Sequence, residues 1–189
     1  GDMTIDNISL NTTTGGGGGL TCSATEAIGY NEGFESSFGA WSQVSGDDFD
    51  WTRRSGGTPS NNTGPSAAYA GSFYMYVEAS SPNYSNKTAI VESPCLDLAG
   101  ESSATFSFRY HMYGASGMGG LDLQASTDGS NWSSVWSESG NQGNNWLAAD
   151  VDLTAYTGGD VKLRFVGTTG STWQGDMAVD AVSLSSSGG

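Results

Sequence analysis

The sequence predicts an all-β chain, a jelly-roll β-sandwich of two antiparallel sheets. Short alternating or aromatic segments recur along residues 22–184, separated by clusters of Gly, Asn, Ser and Pro. No apolar stripe holds a helical period for three turns. A sheet with one apolar face needs a second layer, and two facing sheets supply it from the material available.

In chain order, GDMTIDNISL at 1–10 matches the closing GDMAVDAVSL of 175–184 at six of ten positions, with Ile/Val exchanges that keep a strand pattern. The first copy is therefore expected to be the last strand of a preceding repeat; an edge strand that pairs with a neighbouring molecule is the alternative. Residues 11–21, NTTTGGGGGLT, read as a Gly/Thr linker. The domain proper is 22–184, and 185–189 open a C-terminal linker.

Within the domain, strands are expected in YNEGFES (30–36), FDWTRR (49–54), SFYMYVEA (72–79) and KTAIVES (87–93). SATFSFRYHMY (103–113) is the clearest: Phe106, Phe108, Tyr110 and Met112 share one face, and Ser107, Arg109 and His111 the other. LDLQAS (121–126) turns Leu121, Leu123 and Ala125 inward, and VKLRF (161–165) turns in Val161, Leu163 and Phe165. NWSSVWSE, NWLAADVDL and DMAVDAVSL complete the set. Between FDWTRR and SFYMYVEA runs a long turn-rich loop whose Pro59 and Pro65 discourage helix. Such a loop can present a recognition surface or cover the core edge.

Twenty acidic residues stand against six Lys plus Arg, a net charge of -14. Nucleic acid and anionic membranes are poor partners for that balance. No run of about 18 apolar residues is present to span a membrane. The composition, rich in Gly, Ser, Thr and Asn, points to a secreted or cell-surface setting. Cys22 and Cys95 permit one intrachain disulfide, with two inert thiols as the alternative.

An enzyme is not expected. His111, the only histidine, has no triad partner in the sequence, and HExxH, GxSxG, phosphate-loop and dinucleotide signatures are absent. Two cysteines 73 residues apart make no zinc cluster. Calcium suits the acidic residues better, because it takes hard carboxylate and carbonyl oxygens. Candidate ligands are Glu35, Asp48 and Asp50 of the GDDFD cluster, Asp176 and Asp180; Arg53, Arg54 or backbone amides are their alternative partners. Trp132, Trp136, Trp146 and Trp173 lie in polar or Gly-rich stretches, where a ring flanked by amides can carry a sugar, whereas Trp41 and Trp51 read as core packing.

These stretches resemble the MAM domain family. GFES at 33–36, DDFDWTRRSGGTPSNNTGPS at 47–66, YMYVEAS at 74–80, FSFRYHMYG at 106–114, SGNQGNNW at 139–146, LRFVGTTG at 163–170 and GDMAVDAVSL at 175–184 carry the resemblance. It implies a non-catalytic jelly-roll sandwich of extracellular proteins. With two cysteines where animal members usually have four, the chain looks more like a bacterial variety from secreted multidomain proteins. The resemblance also supports a cation at Glu35, the aspartates of DDFDW and Asp176 or Asp180. The expected function is a carbohydrate-binding module accessory to an attached catalytic domain, holding a polysaccharide or glycan. Protein-protein adhesion or a structural spacer between repeats is the alternative. The acidity favours a neutral glycan over an anionic one.

Overall fold

Twelve strands build two sheets that pack face to face in the computed structural model, which describes residues 19–186. The opening decapeptide and residues 11–18 of the expected linker lie outside the described residues. The strands are β1 (Thr25–Glu26), β2 (Asn31–Glu32), β3 (Ser42–Gln43), β4 (Thr52–Ser55), β5 (Phe73–Val77) and β6 (Thr88–Asp97). They continue with β7 (Thr105–Met112), β8 (Gly119–Ser126), β9 (Ser133–Ser139), β10 (Leu147–Asp152), β11 (Asp160–Thr169) and β12 (Met177–Ser185). A single 3-10 turn, Thr154–Tyr156, precedes β11. The first sheet runs β1-β6-β11-β8-β9 with β3 on β6; the second runs β10-β7-β12-β5-β4 with β2 on β12.

The alternation read from the sequence is the alternation of the core. Phe106, Phe108, Tyr110 and Met112 of β7 face Leu121, Leu123 and Ala125 of β8 and Val161, Leu163 and Phe165 of β11 across the interior, all buried. Aromatic rings fill its centre: Trp41 stacks on Phe165 at 5.5 Å, and Phe108 meets Phe165 edge to face at 4.9 Å. Trp51 is buried as expected, and its indole N–H donates to the Ala89 carbonyl, so the ring is packed without orphaning its polar atom.

Two departures from simple alternation have local causes. On β12 the inward residues are Met177 and Val179, then Val182 and Leu184, a change of parity absorbed by a bulge against β7 between Asp180 and Ser183. Ala181 takes a φ of 49° there. The bulge leaves Asp176, Ala178 and Asp180 together on the outer side of the second sheet. The other departure is a parallel pairing, Thr25 with Cys95 and Glu26 with Leu96, in otherwise antiparallel sheets. It lies beside the Cys22–Cys95 disulfide.

That disulfide ties the start of the domain to the end of β6, while Ser185 at the end of β12 pairs with Thr105 at the start of β7. A short connection, 98–104, joins β6 to β7. The chain thus enters and leaves the sandwich at one pole. The connections 113–118, 140–146 and 170–176 gather at the other.

Candidate functional site

The long loop between β4 and β5, residues 56–72, lies across the outer face of the second sheet as a roof. Bonds along its length fasten it. Thr63 Oγ1 and the Gly64 amide both donate to the Tyr113 carbonyl, at 3.0 and 2.9 Å. The Trp146 indole N–H donates to the Ala67 carbonyl at 3.0 Å. The Tyr69 and Ala70 amides donate to Asp180 Oδ2, at 2.9 and 3.1 Å. Beneath the roof Tyr74, Tyr76 and Ala178 form a second small core with Ala68 and Trp146.

His111 and Asp176 are under the same roof, and burial governs both. His111 is on the side of β7 away from the main core, as its alternation predicted, yet it is only 2% exposed because Trp146 and the roof cover it. Its Nε2 lies 3.2 Å from Asn144 Oδ1 and donates to it, since a carboxamide oxygen can only accept. Burial lowers the imidazole to about 4, so the ring is neutral. Asp176 is fully buried; its Oδ1 accepts from the Ala79 amide at 3.0 Å, and burial raises the carboxyl to about 6. His111 Nδ1 and Asp176 Oδ2 are, among the described residues, the buried side-chain polar atoms without a hydrogen-bond partner.

The five candidate calcium ligands separate. Glu35 and Asp180 flank one turn of the roof: Glu35 accepts from the Ser72 and Phe73 amides, and Asp180 from Tyr69 and Ala70. The two Phe73 and Ser72 bonds lower the Glu35 carboxyl, whereas burial raises Asp180, with the charge of Glu35 adding to the rise. Asp48 is elsewhere, paired with Lys87 Nζ at 2.9 Å and held below the usual carboxylate range by that bond. Asp50 is exposed, and Asp176 lies just before the start of β12, four residues ahead of Asp180. Backbone amides, one of the alternatives expected from sequence, are the partners of Glu35 and Asp180. Arg53 instead donates to the Phe34 and Glu35 carbonyls and covers the Phe73 ring.

The four candidate sugar tryptophans separate as well. Trp136 packs edge-on against Phe108 and Tyr110, each at 4.9 Å. Trp146 is wedged among Tyr74, His111 and Tyr69. Trp132 has the Arg164 guanidinium 4.3 Å above its ring. Trp173 alone of the four is exposed, at 42%. The ring faces expected to stand free are therefore mostly in use within the protein.

Arg164 belongs to an ordered polar ladder on the outer face of the first sheet. Lys162 Nζ donates to Glu92 Oε2 at 2.7 Å, Arg164 Nε to Gln124 Oε1 at 2.7 Å, and Ser134 Oγ to Asp122 Oδ1 at 2.6 Å. The β11 alternation could have located this face, because Lys162 and Arg164 alternate with the inward Val161, Leu163 and Phe165. His111 as a covered residue had no such signal, for its cover comes from a loop far along the chain.

Fold and surfaces together define a β-sandwich domain of two facing sheets. The family profile "MAM domain, meprin/A5/mu" matches residues 33–188, so the chain belongs to the MAM family. It is 38% identical over 154 residues to MAM domain-containing glycosylphosphatidylinositol anchor protein 2 of Mus musculus. That alignment covers 73% of this chain but 16% of the relative, so the chain corresponds to a small part of a larger protein. Among solved structures, the K1 cleaved adhesin domain of Lys-gingipain from Porphyromonas gingivalis superimposes with a TM-score of 0.58 at 19% identity, over 84% of this chain and 98% of that one. The C-terminal family 22 carbohydrate-binding module of Clostridium thermocellum Xyn10B gives 0.53 at 15% identity, over 84% and 94%. Both likenesses are of fold.

Proposed function

We propose that the domain is an adhesive recognition module of a larger secreted or cell-surface protein, and that it binds a protein partner through the outer face of the first sheet. The observation that carries this reading is the Arg164–Trp132 pair, preordered by Gln124 on a hydrogen-bonded polar face. Arg and Trp are the residue types that dominate protein interfaces when held rigid at their centre. Arg164 already occupies one face of the Trp132 ring. Kinship with a protein named for its surface anchor, and likeness of fold to an adhesin domain, support the same setting.

The test uses fluorescently labelled chain on cells treated beforehand with protease or with glycosidases. Loss of binding after protease, and a drop of tenfold or more for Arg164→Ala, are expected. Binding that survives protease and disappears after deglycosylation would overturn the reading.

We also propose that Glu35 and Asp180 hold Ca²⁺ beside the turn at 69–73. The two carboxylates flank one turn, and the charge of Glu35 adds to the cost of ionising Asp180, which suits a hard cation. The ion would neutralise both and pin the roof to β12. Thermal melting in calcium should exceed melting in chelator by several degrees, and Asp180→Asn should erase the difference. Identical melts of the unmodified chain would dismiss the site.

A further inference from the structure

We propose that the cleft between the roof residues 57–66 and the connection 144–146 binds a neutral, hydroxyl-bearing ligand, a saccharide unit, with Asn144, oriented by His111, donating to one of its hydroxyls. This site is separate from the first-sheet face and does not depend on the adhesive reading.

Two depressions meet there, of about 320 and 240 Å³, and share Pro65, Ser66 and Asn144 in their walls. Joined, they fall within the range of small-molecule sites, roughly 300–1,000 Å³. Their lining contains no Asp, Glu, Lys or Arg, in a chain whose net charge is -14. An uncharged cleft on so acidic a protein favours a ligand without charge: a phosphate or sulfate would meet no basic group, and a cation no carboxylate. What the lining does offer is amides and hydroxyls, including Asn61, Asn62, Asn144 and Ser66. Those groups both donate and accept, as sugar hydroxyls do.

His111 gives the cleft its direction. It lines the smaller depression and is 2% exposed. Because Nε2 donates to Asn144, Nδ1 is the bare nitrogen of a neutral ring, an acceptor for which the protein provides no donor. Nδ1 itself is closed off from the cleft, so the ring acts by fixing the Asn144 carboxamide through Nε2, which leaves the Asn144 side-chain N–H groups to donate to a ligand hydroxyl. Trp146 stands beside the imidazole, fixed by its bond to Ala67 and by its contact with Tyr74, and Tyr113 lines the other half. Aromatic walls with amides between them are suited to the apolar and polar sides of a pyranose ring. The roof that makes one wall is itself held down, since Asp176 N–H donates to Thr63 Oγ1 at 2.8 Å.

The test is a panel of neutral gluco-, galacto-, xylo- and manno-oligosaccharides titrated into the full chain, followed by tryptophan fluorescence and by NMR of the Asn144 side-chain amide. Saturable binding of at least one series is expected, with a shift of that amide resonance. Ser66→Trp, at an exposed position in both depressions, should weaken it tenfold or more without lowering the melting temperature. Asn144→Ala should weaken it several-fold, and Trp173→Ala should leave it unchanged. No binding by the folded chain at millimolar concentration would overturn the proposal. So would binding unaffected by Ser66→Trp, binding lost in Trp173→Ala, or selectivity for sulfated or uronic-acid chains. Each of these outcomes leaves the protease-sensitive partner of the first sheet untouched.

Discussion

Arg164 lies over the ring of Trp132, guanidinium carbon to ring centroid 4.3 Å, with Gln124 fixing its Nε from the neighbouring strand. The pair stabilises the fold little, since an exposed cation–π contact contributes about 0.5–1 kcal/mol. Arg164→Ala and Trp132→Ala should therefore melt within a few degrees of the parent while losing most partner binding. Arg164→Lys keeps the charge but not the planar fork, and should also lose several-fold. A double-mutant cycle on binding should show clear coupling between the two positions; additive losses would mean that they contact the partner independently.

His111 and Asp176 give opposite pH dependences to stability. Burial raises Asp176 from 3.8 to about 6, so the folded state holds the proton more tightly and stability falls as pH rises through that interval. Burial lowers His111 from 6.5 to about 4, so its contribution is present above 6.5 and is lost as pH falls through about 4. Asp180 is raised too and adds to the slope of Asp176. Between pH 4 and 6 the slopes oppose each other. Asp176→Asn should unmask a stability that climbs with pH and gain up to about 3 kcal/mol near pH 7.5. His111→Gln should unmask one that falls. Urea titrations across pH measure both, and flat profiles in the two variants would contradict the burial of these groups.

The Cys22–Cys95 bond closes a loop of 73 residues. Closure of that length stabilises by about 4 kcal/mol on chain-entropy grounds. Reduction, or the Cys22→Ser/Cys95→Ser pair, should lower the denaturant midpoint by a corresponding amount while the sheets persist in circular dichroism.

Gly64 has a φ of +64°, and a side chain there would meet Thr58 Oγ1 at 2.5 Å and Asp176 Cβ at 3.0 Å. Gly64→Ala should cost about 1–2 kcal/mol through both effects. It should also speed amide exchange in 57–66 ahead of exchange in β7, if the roof loosens before the sandwich does.

The strands with long alternation were legible because each repeats its instruction: Phe106, Phe108, Tyr110 and Met112 choose one face four times. β1 and β3 were not, for two residues carry no period and form only because β6 offers them an edge. The fully buried Trp51 was legible and the half-buried Trp132, Trp136 and Trp146 were not. Composition places a ring near amides but says nothing of Arg164 arriving from another strand. The roof was least legible of all. Its bonds to Asp176 and Asp180 join residues more than 100 positions apart, and no local pattern records such a partnership. The Glu35–Asp180 neighbourhood was half visible: both residues were singled out, but Asp48 and Asp50 were grouped with them on chemistry that Lys87 and solvent satisfy instead.

Because entry and exit share one pole, a pull on the flanking segments loads the molecule only at its base. On one side tension passes through the Cys22–Cys95 link into β6, and on the other through Ser185 into β12. The line of force does not cross the roof, the cleft at 57–66 or the connection 144–146. In a chain stretched between a cell and its surroundings, those elements would hang free of the strain, and their shape would not change with load until the sheets themselves began to part.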